Sequence, residues 1–236
     1  MSGRPRNRGK STSSSRRPRS SCSSGHSVDY RCRHIETSRP GELLNQDTFY
    51  WGTLKGVGKV YVQVVIDTFC SLAFAKVYNS KMPITACDLL WDRVLPFYEA
   101  LGVPVGAVLT DNGREFCGRA DRHPYELLLA LDEIEHRTTK VRSPRTNGYV
   151  ERMNKTLLDE CFRVAGRVTW YQAIDEIQAD LDRFLAYYNL QRSHQGYRLK
   201  GRTPVQALRE ALGRNDLPPL TYSPTEEEII EQPTAA

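Results

Sequence analysis

Lys59-Val60-Tyr61-Val62-Gln63-Val64-Val65-Ile66 is apolar at nearly every position. A strand with one face in water alternates apolar and polar side chains; a strand covered on both faces need not. The run therefore predicts a central strand, which demands strands beside it and helices over it. The flanking sequence supplies both. Leu43 to Tyr50 reads as a preceding strand, with Gly52 and Gly56 as turn residues, and Ser71 to Tyr78 as a following one. Short links make these three an antiparallel meander. Pro83 opens a helix in which Cys87, Leu90, Trp91, Val94, Leu95, Tyr98 and Leu101 recur at helical spacing, and Gly102 ends it. Val105 to Thr110 is a fourth strand that stops at the turn sequence Asp111-Asn112-Gly113. Residues 124–131 predict a short helix and 134–138 a fifth strand.

Helices follow. One starts near Glu151. A second covers about 169–188, with Trp170, Ile174, Ile177, Leu181, Phe184, Leu185 and Tyr188 as its buried stripe and Asp175, Glu176, Asp180 and Asp182 as its wet face. A third runs from Thr203-Pro204 to Leu212. This order gives an α/β fold, a mixed five-stranded sheet flanked by helices.

Charge divides the chain into three. Residues 1–40 carry ten Lys/Arg against two Asp/Glu, whereas residues 41–220 carry 23 against 22 and the last sixteen carry four Glu and no base. Basicity thus belongs to a Ser/Arg-rich N-terminal arm, residues 1–39, too poor in apolar groups to offset the entropy of ordering. The core spans 40–212, and a flexible acidic tail spans 213–236. Nucleic-acid affinity of the folded part must come from local patches. Six scattered cysteines suit reduced thiols in a cytosolic protein. No run of eighteen apolar residues is present, so no membrane helix is expected.

Asp47 falls in the first strand, Asp111 just past the fourth and Glu151 on the helix after the fifth. If the first and fourth strands are neighbours, the two aspartates can meet and the helix can lay Glu151 across them. Three hard oxygen donors suit Mg²⁺ or Mn²⁺, and two such ions can drive phosphodiester chemistry. Asp67, at the end of the second strand, reads as a turn aspartate. Glu115 reads as a solvated loop residue. Asn112 and Gly113 serve a tight turn equally well as a close approach to DNA. Lys140, Arg142, Arg145, Arg152 and Lys155 put five bases among sixteen residues with one acid, a pattern suited to DNA backbone contact beside a metal site. Asn147 and Gly148, just before the helix, add polar reach and room for a phosphate. Arg192, His194, Arg198, Lys200 and Arg202 form a second patch, which either touches DNA or pins the last helix to the core.

Four blocks together resemble the signature of the retroviral-integrase catalytic core, and most of all bacterial insertion-sequence transposases of that superfamily. They are Gln46-Asp47-Thr48, Leu109 to Phe116, Ser143-Pro144 with Asn147 to Arg152, and Tyr188-Asn189 with Gln191 to His194. The resemblance covers roughly residues 40–212. It implies an RNase H-like fold and a D-D-E triad of Asp47, Asp111 and Glu151 holding two Mg²⁺ or Mn²⁺ ions. It further implies DNA nicking followed by strand transfer in transposition. DNA would be the partner, with homo-oligomers forming on it, in the bacterial cytoplasm at the nucleoid.

Two departures accompany it. Such transposases carry a helix-turn-helix region ahead of the core, where this chain has about forty low-complexity residues. The expectation is a remnant, or an end-binding part on another chain. In addition, 39 residues separate Asp111 from Glu151, more than in the best-known members, and the 124–131 helix absorbs the excess. Two rival functions follow: a noncatalytic DNA-binding fragment that inhibits a full-length transposase, and a plain RNase H-type nuclease.

Overall fold

The computed structural model describes residues 36–139, 147–166, 169–196 and 198–220. The arm through residue 35 and the tail from 221 lie outside them. The apolar run is central, as its pattern requires: β2 spans Gly58–Asp67, and Val60, Val62, Val64 and Val65 are fully buried. It pairs antiparallel with β1 (Leu43–Leu54) and with β3 (Ala73–Tyr78). On its other side β1 pairs in parallel with β4 (Ala107–Thr110), which pairs in parallel with β5 (Glu135–Thr138). The order β3-β2-β1-β4-β5 is the expected mixed five-stranded sheet. β1 outruns its predicted end because the register shifts between Tyr50 and Gly52, and this bulge lets pairing continue to Leu54.

The chain returns from β3 to β4 through one long helical crossover, made of α1 (Pro83–Leu89), a π turn (Leu90–Val94) and α2 (Leu95–Leu101). Gly102 closes it at φ 66°, the left-handed backbone that glycine adopts without penalty. Trp91, placed by its spacing in the buried stripe, is 66% exposed. The π turn holds more residues per turn than an α-helix and shifts the phase of the stripe there.

α3 (Pro124–Leu131) packs on α1. α4 (Gly148–Thr156) continues through a π turn (Leu157–Phe162) into α5 (Arg163–Ala165) and packs on β1 and β2 with Val150, Met153 and Leu157 buried.

α6 (Ile174–Leu190) starts later than expected, and Trp170 ahead of it is 88% exposed, outside the stripe assigned to it. Asp182, assigned to the wet face, instead accepts from Arg93 Nη1 at 2.7 Å, and the same nitrogen donates to Ala75 O at 3.0 Å. This pair ties α6 to the crossover and to β3. Asn189 completes the tie: its Oδ1 accepts from Ala73 N at 3.0 Å and its Nδ2 donates to Ala73 O at 2.8 Å. α7 (Pro204–Leu212) begins with a reciprocal cap between Thr203 and Gln206. Among the described residues Cys70, Cys87, Cys117 and Cys161 are free thiols. No helix among the described residues is long and apolar enough to cross a membrane.

Candidate active site

Alternation along β1 sends Gln46 and Asp47 to opposite faces. Gln46 faces the crossover: its Nε2 donates to Ala86 O at 3.0 Å and its Oε1 accepts from Tyr125 Oη at 2.8 Å. Asp47 faces α4, where Asn154 Nδ2 donates to Asp47 Oδ2 at 2.8 Å, and Thr48 N donates to Asp47 Oδ1 at 2.8 Å. The parallel register sets Asn45 opposite Leu109. Two residues beyond each stand Asp47 and Asp111, and the charge of Asp111 is felt at Asp47. The first two residues of the predicted triad are therefore brought together by strand pairing.

The pair is electrostatically costly. Burial, and after it the charge of Asp111, pushes the Asp47 carboxyl above its ordinary value, although the Thr48 N–H, the Asn154 amide and the Lys81 ammonium pull it down. A raised folded-state pKa means that the folded chain keeps this proton longer than the unfolded chain. The associated stability is complete below the unfolded value of about 4 and is lost as pH rises through the folded value. The melting temperature of the wild type minus that of Asp47→Asn is therefore expected to fall by a few degrees between about pH 4 and about pH 7. Thermal melts at the two pH values check this, and a difference that stays flat contradicts it.

The loop after β4 is built around Asp111, whose Oδ1 accepts from Gly113 N at 2.8 Å. Asn112 Nδ2 donates to Thr139 O at 2.7 Å, and Phe116 is buried edge-on to Tyr125. Burying Phe116 draws in its neighbour, so Glu115 is 4% exposed instead of solvated, and Lys81 Nζ meets its Oε1 at 2.7 Å. A Cβ on Gly113 would lie 2.5 Å from Glu115 Oε2 and 2.8 Å from Asp111 Oδ1. A side chain there would have to displace one of those two carboxylates, so this glycine does more than permit a turn.

Glu151 lies in the first turn of α4, exposed, its N–H donating to Asn147 O at 3.1 Å. Asn154 is three residues on, so the two share a helix face, and that face reaches Asp47. Among the described residues no three His, Cys, Asp or Glu side chains form a metal-holding group. The structure thus brings Asp47 near Asp111 and sets Glu151 one turn from the residue that touches Asp47, without closing the trio. The donor chemistry fits a hard divalent cation, because the adjacent groups are carboxylates. Burial raises the pKa of the nearby Cys117 thiol, and its Sγ donates to Asp111 O at 3.5 Å.

The candidate DNA contacts separate. Lys140, Arg142 and Arg145 lie outside the described residues. Arg152 and Lys155 are exposed on α4, and the space around Gly148 is open. Asn147 is only 6% exposed, so it is part of the helix's buried start and not a surface contact. Three cations of the second basic patch, Arg192, Arg198 and Arg202, are held by partners within the chain, whereas Lys200 is exposed. Arg192 grips both oxygens of Glu160 at 2.8 and 2.6 Å, and Arg198 Nη1 donates to Thr68 O at 2.9 Å. Arg202 Nη2 donates to Arg198 O at 2.7 Å and Nη1 pairs with Glu210. His194 packs edge-on to Tyr188 with ring centres 4.6 Å apart, and burial, then Arg192, lowers its pKa to about 4.

Asp67 is a structural turn residue. Its Oδ1 accepts from Phe69 N at 2.6 Å and Cys70 N at 3.2 Å, and its Oδ2 from Gly41 N at 2.7 Å and Tyr98 Oη at 2.6 Å. Sequence reasoning missed Asn154 and Lys81. Helical spacing from Glu151 could have found Asn154; Lys81 carries no local signal.

The model of the integrase core domain family matches residues 132–204. ORF3 of Spiroplasma virus SpV1-C74, described as a candidate integrase, is 28% identical over 158 residues, which are 64% of this chain and 42% of that protein. The chain therefore spans under half the length of that relative. The fold is similar to that of a chain in the simian T-cell lymphotropic virus intasome solved with PP2A regulatory subunit B56 gamma. That likeness has a TM-score of 0.60 and 20% identity and covers 81% of this chain and 62% of that one. It is also similar to the HTLV-2 integrase catalytic core domain solved with magnesium, with a TM-score of 0.54 and 18% identity over 72% of this chain and 97% of that one. At such identities the likeness establishes the fold, an integrase-type, RNase H-like core.

Proposed function

We propose, from the premise that the chain carries an integrase-type core, that it is a DNA transposase of the bacterial insertion-sequence kind. It would nick DNA at the ends of a transposable element and join the freed 3′-hydroxyl to target DNA. The observation that carries this reading is the placement of Asp47 beside Asp111 by parallel pairing of β1 and β4, with α4 anchored to Asp47 through Asn154. Asp47, Asp111 and Glu151 are the residues that would hold Mg²⁺ or Mn²⁺. When bound, two such ions supply positive charge to activate an attacking oxygen and to stabilise the leaving one.

The rest is work for the chain's own groups. Thr48 N–H and the Asn154 amide fix both oxygens of Asp47 in place. The Gly113 N–H fixes Asp111. Arg152 and Lys155, exposed beside Glu151, would meet backbone phosphates, and the open surface at Gly148 lets DNA come close. The chain would act as a homo-oligomer on DNA, at the nucleoid.

Incubating the full chain with labelled duplexes bearing the ends of its own element is expected to yield joined products with Mg²⁺ or Mn²⁺ and none with chelator. Absence of product in every metal, or product in chelator, contradicts the reading. The rival, a noncatalytic fragment that inhibits a full-length transposase, draws on the exposed position of Glu151. It predicts that adding the chain to a complete relative lowers joining.

A further inference from the structure

Lys81 stands in the link between β3 and α1, with its ammonium 2.7 Å from the buried Glu115 carboxylate. Glu115 and Asp111 crowd the same glycine from two directions. The ammonium also interacts with the charges of Asp111 and Asp47. One cation thus meets the Glu115 carboxylate directly and lies in the field of the Asp111 and Asp47 carboxylates, from the loop after β4 and from β1. Burial alone would make Lys81 easier to deprotonate, but the ion pair with Glu115 and the charges of Asp111 and Asp47 outweigh it and hold the amine above its ordinary value. Its positive charge is therefore a fixed part of the site at neutral pH.

We propose that Lys81 is a positioning residue of the metal site: a resident ammonium, held aside by Glu115, that competes with a divalent cation for Asp47 and Asp111 and so sets how tightly that cation binds. This rests on the reading of Asp47 and Asp111 as metal ligands. The sign of each substitution follows from charge. Three acids and one base leave the cluster at a net charge of −2. Removing the base takes it to −3 and leaves Glu115 to add its own pull on a cation. Neutralising Glu115 takes it to −1 and frees the ammonium to settle on the aspartates. At a separation of several ångströms and a dielectric near that of water, one unit of charge acting on a divalent ion is worth roughly tenfold in affinity.

The test is calorimetric titration of MnCl₂ into the full chain, with folding confirmed by circular dichroism. Lys81→Met is expected to bind Mn²⁺ roughly tenfold more tightly than wild type, and Glu115→Gln roughly tenfold more weakly. The double variant, with the net charge restored, is expected to return near wild type. Lys81→Gln, which keeps a hydrogen-bond donor for Glu115, is expected to tighten binding too and serves if Lys81→Met does not fold. A purely structural pair weakens binding in both single variants, and that result overturns the proposal. So does an unchanged affinity in both. Asp111→Asn separates the two levels of the argument. If wild type binds no Mn²⁺, or binds it as well with Asn at 111, the metal-site reading fails first and takes this inference with it.

Discussion

Asp47→Asn, Asp111→Asn and Glu151→Gln are each expected to lower strand joining at least about a thousandfold, roughly 4 kcal/mol of transition-state stabilisation. The fold should survive all three. Asp47 and Asp111 are held by hydrogen bonds that an amide can largely reproduce, and Glu151 is exposed. Because the three would act as one unit, a double variant should be scarcely worse than a single one. Joining assays beside circular dichroism check this. Unaltered activity in the three variants would remove the triad from the mechanism.

Asp67→Ala should show the opposite pattern. Asp67 is buried and accepts four hydrogen bonds, from Gly41, Phe69, Cys70 and Tyr98. Deleting the carboxylate leaves four donors without it, and each unsatisfied buried group costs about 1–3 kcal/mol. A loss of about 4 kcal/mol or more is expected, a large part of a typical 5–15 kcal/mol margin. The melting temperature should drop by about 10 °C. Activity should fall only in step with unfolding. A variant that melts like the wild type but has lost strand joining would move Asp67 from scaffold to chemistry.

The succession of elements along the chain was readable because its signals are local, whereas the pairing of the first strand with the fourth stays conditional in the sequence. The unbroken apolar run marked β2, Pro83 and Gly102 bracketed the crossover, and residues 124–131 formed a helix with the expected ends. Misplaced residues sat where tertiary packing overrides spacing. Trp91 fell on a π turn, whose phase no 3.6-residue pattern predicts. Asp182 looked solvated until Arg93 arrived from another helix.

The candidate site divides in the same way. That Asp47 and Asp111 could meet was legible only on the condition that the first and fourth strands are neighbours, which they are, and the choice of Asp47 over Asp67 rests on the family resemblance. The pairing of Glu115 with Lys81 was not legible, because it joins segments 34 positions apart that neither period nor motif links. For the second basic patch the sequence leaves DNA contact and pinning of the last helix equally open, because it cannot show that Arg192 already holds Glu160.

An anomalous difference map from a crystal of the full chain soaked in Mn²⁺ tests the central claim most directly. The account predicts a peak within coordination distance of carboxylate oxygens from both Asp47 and Asp111, with Glu151 turned toward it. Strong manganese peaks elsewhere, with nothing at that aspartate pair, would contradict it.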